Sequence, residues 1–290
     1  MKKLLILGAN GQLGQDCKKL FQSDYDVVAL DLPDIDITGA DSLVSIIKKV
    51  KPEIVVNCAA WTAVDKAEDH EELCRRINSD GPKNIVNALN GTNAVLVHIS
   101  TDYVFDGTKP LFSPYTEDDE TNPVSVYGRT KREGELPVLA YKNGAVLRTA
   151  WLYGESGNNF LRTMLKLSMH DRPIRVVADQ WGSPTSSASL AKQIGALLQS
   201  FTPGLYHATS QGYCNWYQLT IRFFEAAGIK HEVIPITTAE YPTPAKRPTN
   251  SILENKNFQK LGIDVMPNWE DEVDAFAKRV APLWHKELES

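Results

Sequence analysis

No two of the four cysteines, Cys17, Cys58, Cys74 and Cys214, stand close together or at metal-ligand spacing. That argues against a disulfide scaffold and a cysteine-held metal, and it fits a reducing, cytoplasmic setting. Cys58 lies in an apolar stretch and reads as a small core residue. Long apolar runs are missing as well. Met1-Lys2-Lys3 with Leu4 to Leu7 resembles the head of a signal peptide, but the run is short and Gly8 and Asn10 break it. No stretch is predicted to span a membrane. Positive charge is not in excess. The net charge is -5 with acids and bases interspersed, which leaves neither a nucleic-acid footprint nor a polybasic membrane face. Repeats and low-complexity tracts are absent too. What remains is a chain of 290 residues with ordinary globular composition, enough for one large or two modest domains.

Within it, Leu4 to Leu7 suits a central parallel strand buried on both faces. Gly8-Ala9-Asn10-Gly11-Gln12-Leu13-Gly14 follows, then a helix to about Phe21. Glycines between a strand and a helix allow a tight turn and close backbone approach, and the helix N-terminus then receives a pyrophosphate. Val27 to Leu30 is the next strand, with Asp31 at its end. An acid there can bond adenosine ribose hydroxyls and disfavours an extra phosphate by repulsion, so NAD(H) is acceptable on charge. The plainer alternative is a strand-end Asp opening a turn with Pro33. Asp36, ahead of Ile37 and the next helix, contacts adenine or caps that helix.

A third strand is read from Ile54 to Ala60, with Trp61 to Asp65 as a loop across its edge. Asn78 falls in a helix that runs to about Asn90. The fourth strand follows Ala94 and ends at Ser100-Thr101-Asp102-Tyr103. Strand and helix units in succession predict an α/β fold, a doubly wound parallel sheet. A polar loop runs from Asp106 to Asn122. Ser125 then caps a helix on which Tyr127 and Lys131 lie one turn apart on one face. An ammonium beside a phenol lowers the phenol's pKa, and Thr101 offers a hydroxyl for the same reacting oxygen. Tyr-x-x-x-Lys also occurs by chance on many helices. Past Gly154 the alternation loosens. Helices are read at 160–168, 187–198 and 216–227, strands near 174–177, 205–207 and 232–236, a cationic loop from Tyr241 to Asn250, and two short helices at the end.

Taken together, these pieces resemble the extended short-chain dehydrogenase/reductases. Gly8 to Gly14, Asn57 to Ala60, Thr101, Tyr127 and Lys131 fall in that family's order. The branch of dTDP-4-dehydrorhamnose reductases is the nearer match. It is carried by Asn57 to Glu68, Ser100 to Phe105, Arg148 to Tyr153, Gly157 to Phe160, Asp179 to Thr185, Tyr241 to Ala245 and Arg247-Pro248. The resemblance implies a Rossmann-type sheet with a smaller α/β substrate-binding domain. Residues 1–154 would form the dinucleotide domain carrying the Tyr and Lys. Residues 155–290 would mainly hold the nucleotide sugar, with about 173–210 returning to the first domain.

It also implies reduction of the C4 ketone of dTDP-4-dehydro-6-deoxy-L-mannose by NADPH or NADH. Thr101, Tyr127 and Lys131 would be catalytic, Lys131 also bonding the nicotinamide ribose. Gly8, Asn10, Gly11, Gln12, Leu13 and Gly14 would meet the pyrophosphate, and Asp31, Asp36 and Ile37 the adenosine. Ala60, Trp61 and Thr62 would line the cofactor cleft. Thr101, Asp102, Tyr103, Trp151, Asn159, Gln180 and Arg247 would meet the substrate, although Trp151 equally suits a core and Arg247 a surface. Some members hold a metal at a dimer contact near the helix after Thr185. Here Ser186 to Ala191 offers no carboxylate, so no metal is expected and monomer or homodimer stays open. Alternatives are a reductase of another dTDP-4-keto-6-deoxysugar, an epimerase or dehydratase, and a non-catalytic regulatory subunit. A dehydratase would want Glu where Tyr103 stands. A regulatory subunit need not keep both Tyr127 and Lys131.

Overall fold

Leu4 to Leu7 is apolar at every position because β1 (Lys3–Leu7) is covered on both faces. The computed structural model describes residues 1–289. After β1 come α1 (Gln12–Phe21), β2 (Asp26–Leu30), α2 (Ala40–Val50) and β3 (Ile54–Asn57). Helices α3 (Val64–Asp69) and α4 (Glu71–Arg75), a π-helical turn (Arg76–Asp80) and α5 (Gly81–Leu89) lead to β4 (Val95–Thr101). A 3-10 turn (Asp102–Val104), α6 (Val126–Ala140), β5 (Gly144–Thr149), β6 (Leu152–Tyr153) and α7 (Phe160–Ser168) follow. The chain continues through β7 (Ile174–Val177), β8 (Trp181–Gly182), β9 (Thr185–Ser186), α8 (Ser187–Gln199), β10 (Gly204–His207) and β11 (Cys214–Asn215). It closes with α9 (Trp216–Ala227), β12 (Val233–Ile236), α10 (Lys256–Leu261) and α11 (Trp269–Glu289).

The main sheet has six strands in the order β10-β5-β4-β3-β1-β2, and every pairing in it is parallel. This is the doubly wound sheet that the sequence predicts. Strand alternation divides β1 between two cores. Leu4 and Ile6 pack with Val56, Val97, Leu147 and the α8 residues Leu190 and Ile194, whereas Leu5 and Leu7 pack with Val55, Leu96, Leu43 and Ile85. The strand order reverses on either side of β1, which opens a crevice at the carboxyl ends of the strands.

A third core gathers Leu161, Leu165, Ile174, Val176, Phe223, Val273, Phe276 and Trp284 from α7, β7, α9 and α11. Three sequence expectations change here. Strand β3 stops at Asn57 and not Ala60, because the last ladder bond runs from Cys58 N–H to the Leu7 carbonyl and the small residues then peel away from the sheet. The final helix is 21 residues long, its apolar positions recurring at helical spacing on both sides of Pro282. Strand β7, expected to return to the first domain, pairs instead with β12; the elements that return to the main sheet are α8, packed on α1, and β10. Among the described residues no helix is long and apolar enough to cross a membrane.

Candidate active site

A cavity of about 700 Å³ lies at the carboxyl ends of the strands. One end of it is the glycine turn. A Cβ on Gly14 would stand 2.2 Å from the Gly8 carbonyl oxygen and 2.7 Å from Ala9 Cα, so only glycine lets α1 start this close to β1. No side chain caps α1, and Gly11 to Gly14 line the cavity. Uncapped first-turn N–H groups at the positive end of a helix can hold an anion such as a pyrophosphate. Asp31 borders the turn: its Oδ2 accepts the Asn10 N–H at 2.8 Å and its Oδ1 the Leu32 N–H at 2.8 Å. Asp36 lines the cavity and accepts the Thr38 N–H at 2.8 Å, while Gly39 holds the N-cap position of α2, so Asp36 does not cap that helix. Ile37 is buried beside Gly81.

Ala60 and Thr62 line the cavity, but Trp61 does not. The Trp61 indole donates to the Ala63 carbonyl at 2.9 Å. Asn78, buried in the π-helical turn, holds the Trp61 backbone from both sides, accepting its N–H at 2.8 Å and donating to its carbonyl at 3.1 Å. Asn78, which the sequence places only within a helix, thus clamps the loop that follows β3.

The other end of the cavity is built from β4 and α6. Ser125 caps α6, its hydroxyl accepting the Gly128 N–H at 3.1 Å. A Cβ on Gly128 would meet the Tyr103 carbonyl oxygen at 2.2 Å, so the residue after Tyr127 must be small for α6 to approach the 3-10 turn. Thr101, Asp102, Tyr103, Tyr127 and Lys131 all line the same wall. Thr101 Oγ1 donates to Asp102 Oδ1 at 3.0 Å and accepts the Tyr103 N–H at 3.2 Å. The Tyr103 and Tyr127 rings meet edge-on at 5.5 Å. Lys131 Nζ donates to the Ile99 carbonyl at 2.5 Å.

Burial shapes the titration of this wall. It pushes the Tyr127 phenol well above its ordinary range, only partly offset by the Thr101 hydroxyl. The sequence predicts a phenol lowered by Lys131; here burial raises it, and the group that lowers it is the Thr101 hydroxyl. Burial lowers Lys131 to about 8, opposed by the Glu135 charge. Burial likewise raises Asp102 to about 6; its Oδ2 has no partner.

Trp151 lines the cavity with φ of 48° and stacks face to face on Trp216 at 3.5 Å. The Trp216 Nε1 donates to Gln180 Oε1 at 3.2 Å, and Gln180 Nε2 donates to Thr238 Oγ1 at 3.0 Å. Asn159 is absent from the lining: it caps α7, and its Nδ2 donates to the Gly154 carbonyl at 2.8 Å and to Gln12 Oε1 at 3.1 Å. Gln180 and Arg247 line a second cavity of about 1220 Å³, which shares Tyr103, Phe160 and Trp216 with the first. Arg247 forms a two-pronged ion pair with Asp65 at 2.8 and 3.1 Å, bridging the Pro-rich loop to α3.

The sequence did not single out Trp216, Phe160, Thr149 or Asp65 for the site. Thr149 alone had a local signal, since it sits at the end of β5 in register with Thr101; its buried hydroxyl lines the cavity with no partner. The others arrive from distant segments. Among the described residues no three His, Cys, Asp or Glu side chains gather as a metal site would need.

Comparison with known proteins places this geometry in context. Residues 1–281 match the family described as RmlD substrate binding domain. A dTDP-4-dehydrorhamnose reductase of Aggregatibacter actinomycetemcomitans is 40% identical over 275 residues, which cover 90% of this chain and 93% of that protein. The crystal structure of a dTDP-4-dehydrorhamnose reductase from Clostridium acetobutylicum superposes with a TM-score of 0.92 at 42% identity, covering 98% of this chain and 99% of that one. A Bacillus anthracis dTDP-4-dehydrorhamnose reductase, crystallised in complex with NADP, also gives a TM-score of 0.92, at 38% identity over 95% of this chain and 99% of that one. The chain belongs to this family, the RmlD substrate-binding-domain proteins that include the dTDP-4-dehydrorhamnose reductases.

Proposed function

We propose that the chain is an NAD(P)H-dependent reductase that converts the C4 ketone of dTDP-4-dehydro-L-rhamnose to the alcohol of dTDP-L-rhamnose. The observation that carries this reading is a single cleft with an uncapped glycine turn at one end and Thr101, Tyr127 and Lys131 at the other, in a chain of this family. A dinucleotide fits these residues: Gly11 to Gly14 leave backbone N–H groups and space for the pyrophosphate, with Asp31 and Ile37 toward the adenosine. Lys131 takes the nicotinamide ribose. When bound, the reduced nicotinamide supplies the hydride.

The protein handles the proton. As hydride reaches the carbon, negative charge builds on the ketone oxygen, and a donor already aimed there stabilises the transition state more than the ground state. Tyr127 gives its proton to that oxygen. Burial keeps the phenol protonated at neutral pH, the state a donor needs. The phenolate left behind lies one helical turn from the Lys131 ammonium. Thr101 has one proton to give and donates it to Asp102 in the free protein, so holding the oxygen requires its hydroxyl to turn. Asp102 and the Trp151–Trp216 stack face the deoxysugar. Arg247 and Gln180, in the adjoining cavity, meet the nucleotide, a guanidinium matching diphosphate geometry. Four free cysteines suit action in a reducing cytoplasm.

The test is turnover. Purified protein mixed with enzymatically generated ketone should consume reduced nicotinamide and yield dTDP-L-rhamnose. Tyr127→Phe should lose a factor of roughly 10² to 10⁴ in kcat while still binding cofactor. Cofactor binding without turnover by the natural chain would overturn the reading.

A further inference from the structure

Behind the reactive wall lies a buried charge cluster that the proton transfer does not use. Glu135 follows Lys131 by one turn on the same face of α6, and both are buried, Glu135 at 0% exposure and Lys131 at 2%. Three side chains fix the Glu135 carboxylate through four contacts. Ser100 Oγ donates to Oε1 at 2.6 Å, Arg148 Nε to Oε1 at 2.8 Å, Arg148 Nη2 to Oε2 at 2.7 Å, and Arg132 Nη1 lies 3.3 Å from Oε2. Ser100 and Arg148 are register partners on β4 and β5. Ser100 also stands between Ile99, whose carbonyl holds Lys131 Nζ, and Thr101. The cluster therefore ties both strands to the helix directly beneath the residues that meet the reacting oxygen.

A buried carboxylate aligned this tightly is more than a strut, because the Lys131 ammonium above it has been stripped of water. We propose that Glu135 is a positioning residue for Lys131: its carboxylate, held rigid by Ser100 and Arg148, is the counter-charge that keeps the buried ammonium protonated and pointed at the Ile99 carbonyl and the cleft. The remaining groups around Lys131 do not substitute for it. Cys74 from α4 is a thiol whose pKa burial raises, Cys58 beyond β3 offers only a thiol, and His98 on β4 is kept neutral by burial and by the Lys131 charge itself. Tyr127, on the same helix, stays a neutral phenol, and Asp102 faces the Tyr127 end of the wall. The lowering of Lys131 by burial, opposed first by Glu135, agrees with this geometry.

This inference rests on the reductase reading for its catalytic meaning, so the test reads Lys131 directly. Protein labelled with ¹³C at lysine Cε is titrated by NMR, the Lys131 signal being assigned as the one missing from Lys131→Met. In Glu135→Gln the Lys131 midpoint should fall by about one pH unit. In Arg148→Met, which removes a cation from the same carboxylate, it should rise. Ser100→Ala keeps the carboxylate charge and should leave it in place. Turnover then follows the titration: in Glu135→Gln it drops roughly fivefold at pH 8 and is unchanged at pH 6. Opposite shifts in the Gln and Met variants are a signature that a merely structural cluster would not give, and the Met variant carries the test if Glu135→Gln does not fold. An unmoved Lys131 midpoint in both overturns the proposal. Shifts as expected in a protein that reduces no ketone would overturn the reductase reading and leave the role of Glu135 standing.

Discussion

Asp102 offers a direct check on how burial sets the chemistry of the cleft. Its carboxyl is 2% exposed, Oδ1 is engaged by Thr101, and Oδ2 meets no donor. Burial raises it from an ordinary 3.8 to about 6. Its folded pKa is above its unfolded one, so the native state binds more protons than the unfolded state between these values. Stability from this group therefore declines as pH rises from about 4 to about 6, and above that the ionised, buried carboxylate costs about 3 kcal/mol. Asp102→Asn abolishes the titration. The replacement has its own cost or gain from the amide, but that offset does not change with pH. The prediction is thus a difference: measured by urea unfolding without ligand, the stability of the Asn variant relative to the natural protein should improve by about 2 kcal/mol between pH 4 and pH 7.5, the rest of the effect falling below pH 4. The same substitution should lower kcat, because Thr101 and the sugar lose a charged acceptor. A stability difference that is flat across this range would refute the claim that Asp102 is held ionised against its burial.

Three further outcomes follow from the same geometry. Gly14→Ala forces a methyl to within 2.2 Å of backbone oxygen, and should weaken dinucleotide binding at least tenfold by displacing the turn, read by fluorescence titration with NADPH. Arg247→Ala should raise KM for the nucleotide sugar with little change in kcat, and it frees the Asp65 carboxyl to return toward its ordinary pKa from the lowered one that the guanidinium now imposes after burial is offset. Asp31→Ser removes the charge at the adenosine end, so kcat/KM should rise for NADPH relative to NADH, measured in parallel steady-state assays.

What the sequence makes legible is local. Leu4 to Leu7, the glycines that follow, and Tyr127 one turn before Lys131 each carry their structural meaning in a few consecutive residues, through strand burial, close approach and helix spacing. Ser125 as the cap of α6 was readable for the same reason. The Trp151–Trp216 stack was not, since it joins two segments with no shared pattern, and nothing in the start of α9 distinguishes a cavity aromatic from a core one. Arg247 looked like a surface cation, yet it is engaged by Asp65 far away in the chain. Nothing in the sequence pairs Glu135 with Arg148, and only the register of β4 with β5 under α6 turns them into a buried cluster. The phenol of Tyr127 shows the remaining limit: a motif shows which charge lies nearby but not how much water burial removes, and here desolvation decides the sign.

The central claim is that this cleft moves hydride from a nicotinamide to C4 of a dTDP-4-keto sugar while the protein supplies the proton. Turnover of dTDP-4-dehydro-L-rhamnose with NADPH and NADH deuterated at nicotinamide C4, followed by mass and NMR analysis of the sugar, tests it most directly. The account predicts dTDP-L-rhamnose carrying one deuterium, at C4 of the deoxysugar, formed at least roughly a hundredfold more slowly when Tyr127→Phe is used under the same conditions. Product without deuterium, deuterium at another carbon, or unchanged ketone in the presence of bound cofactor would contradict it.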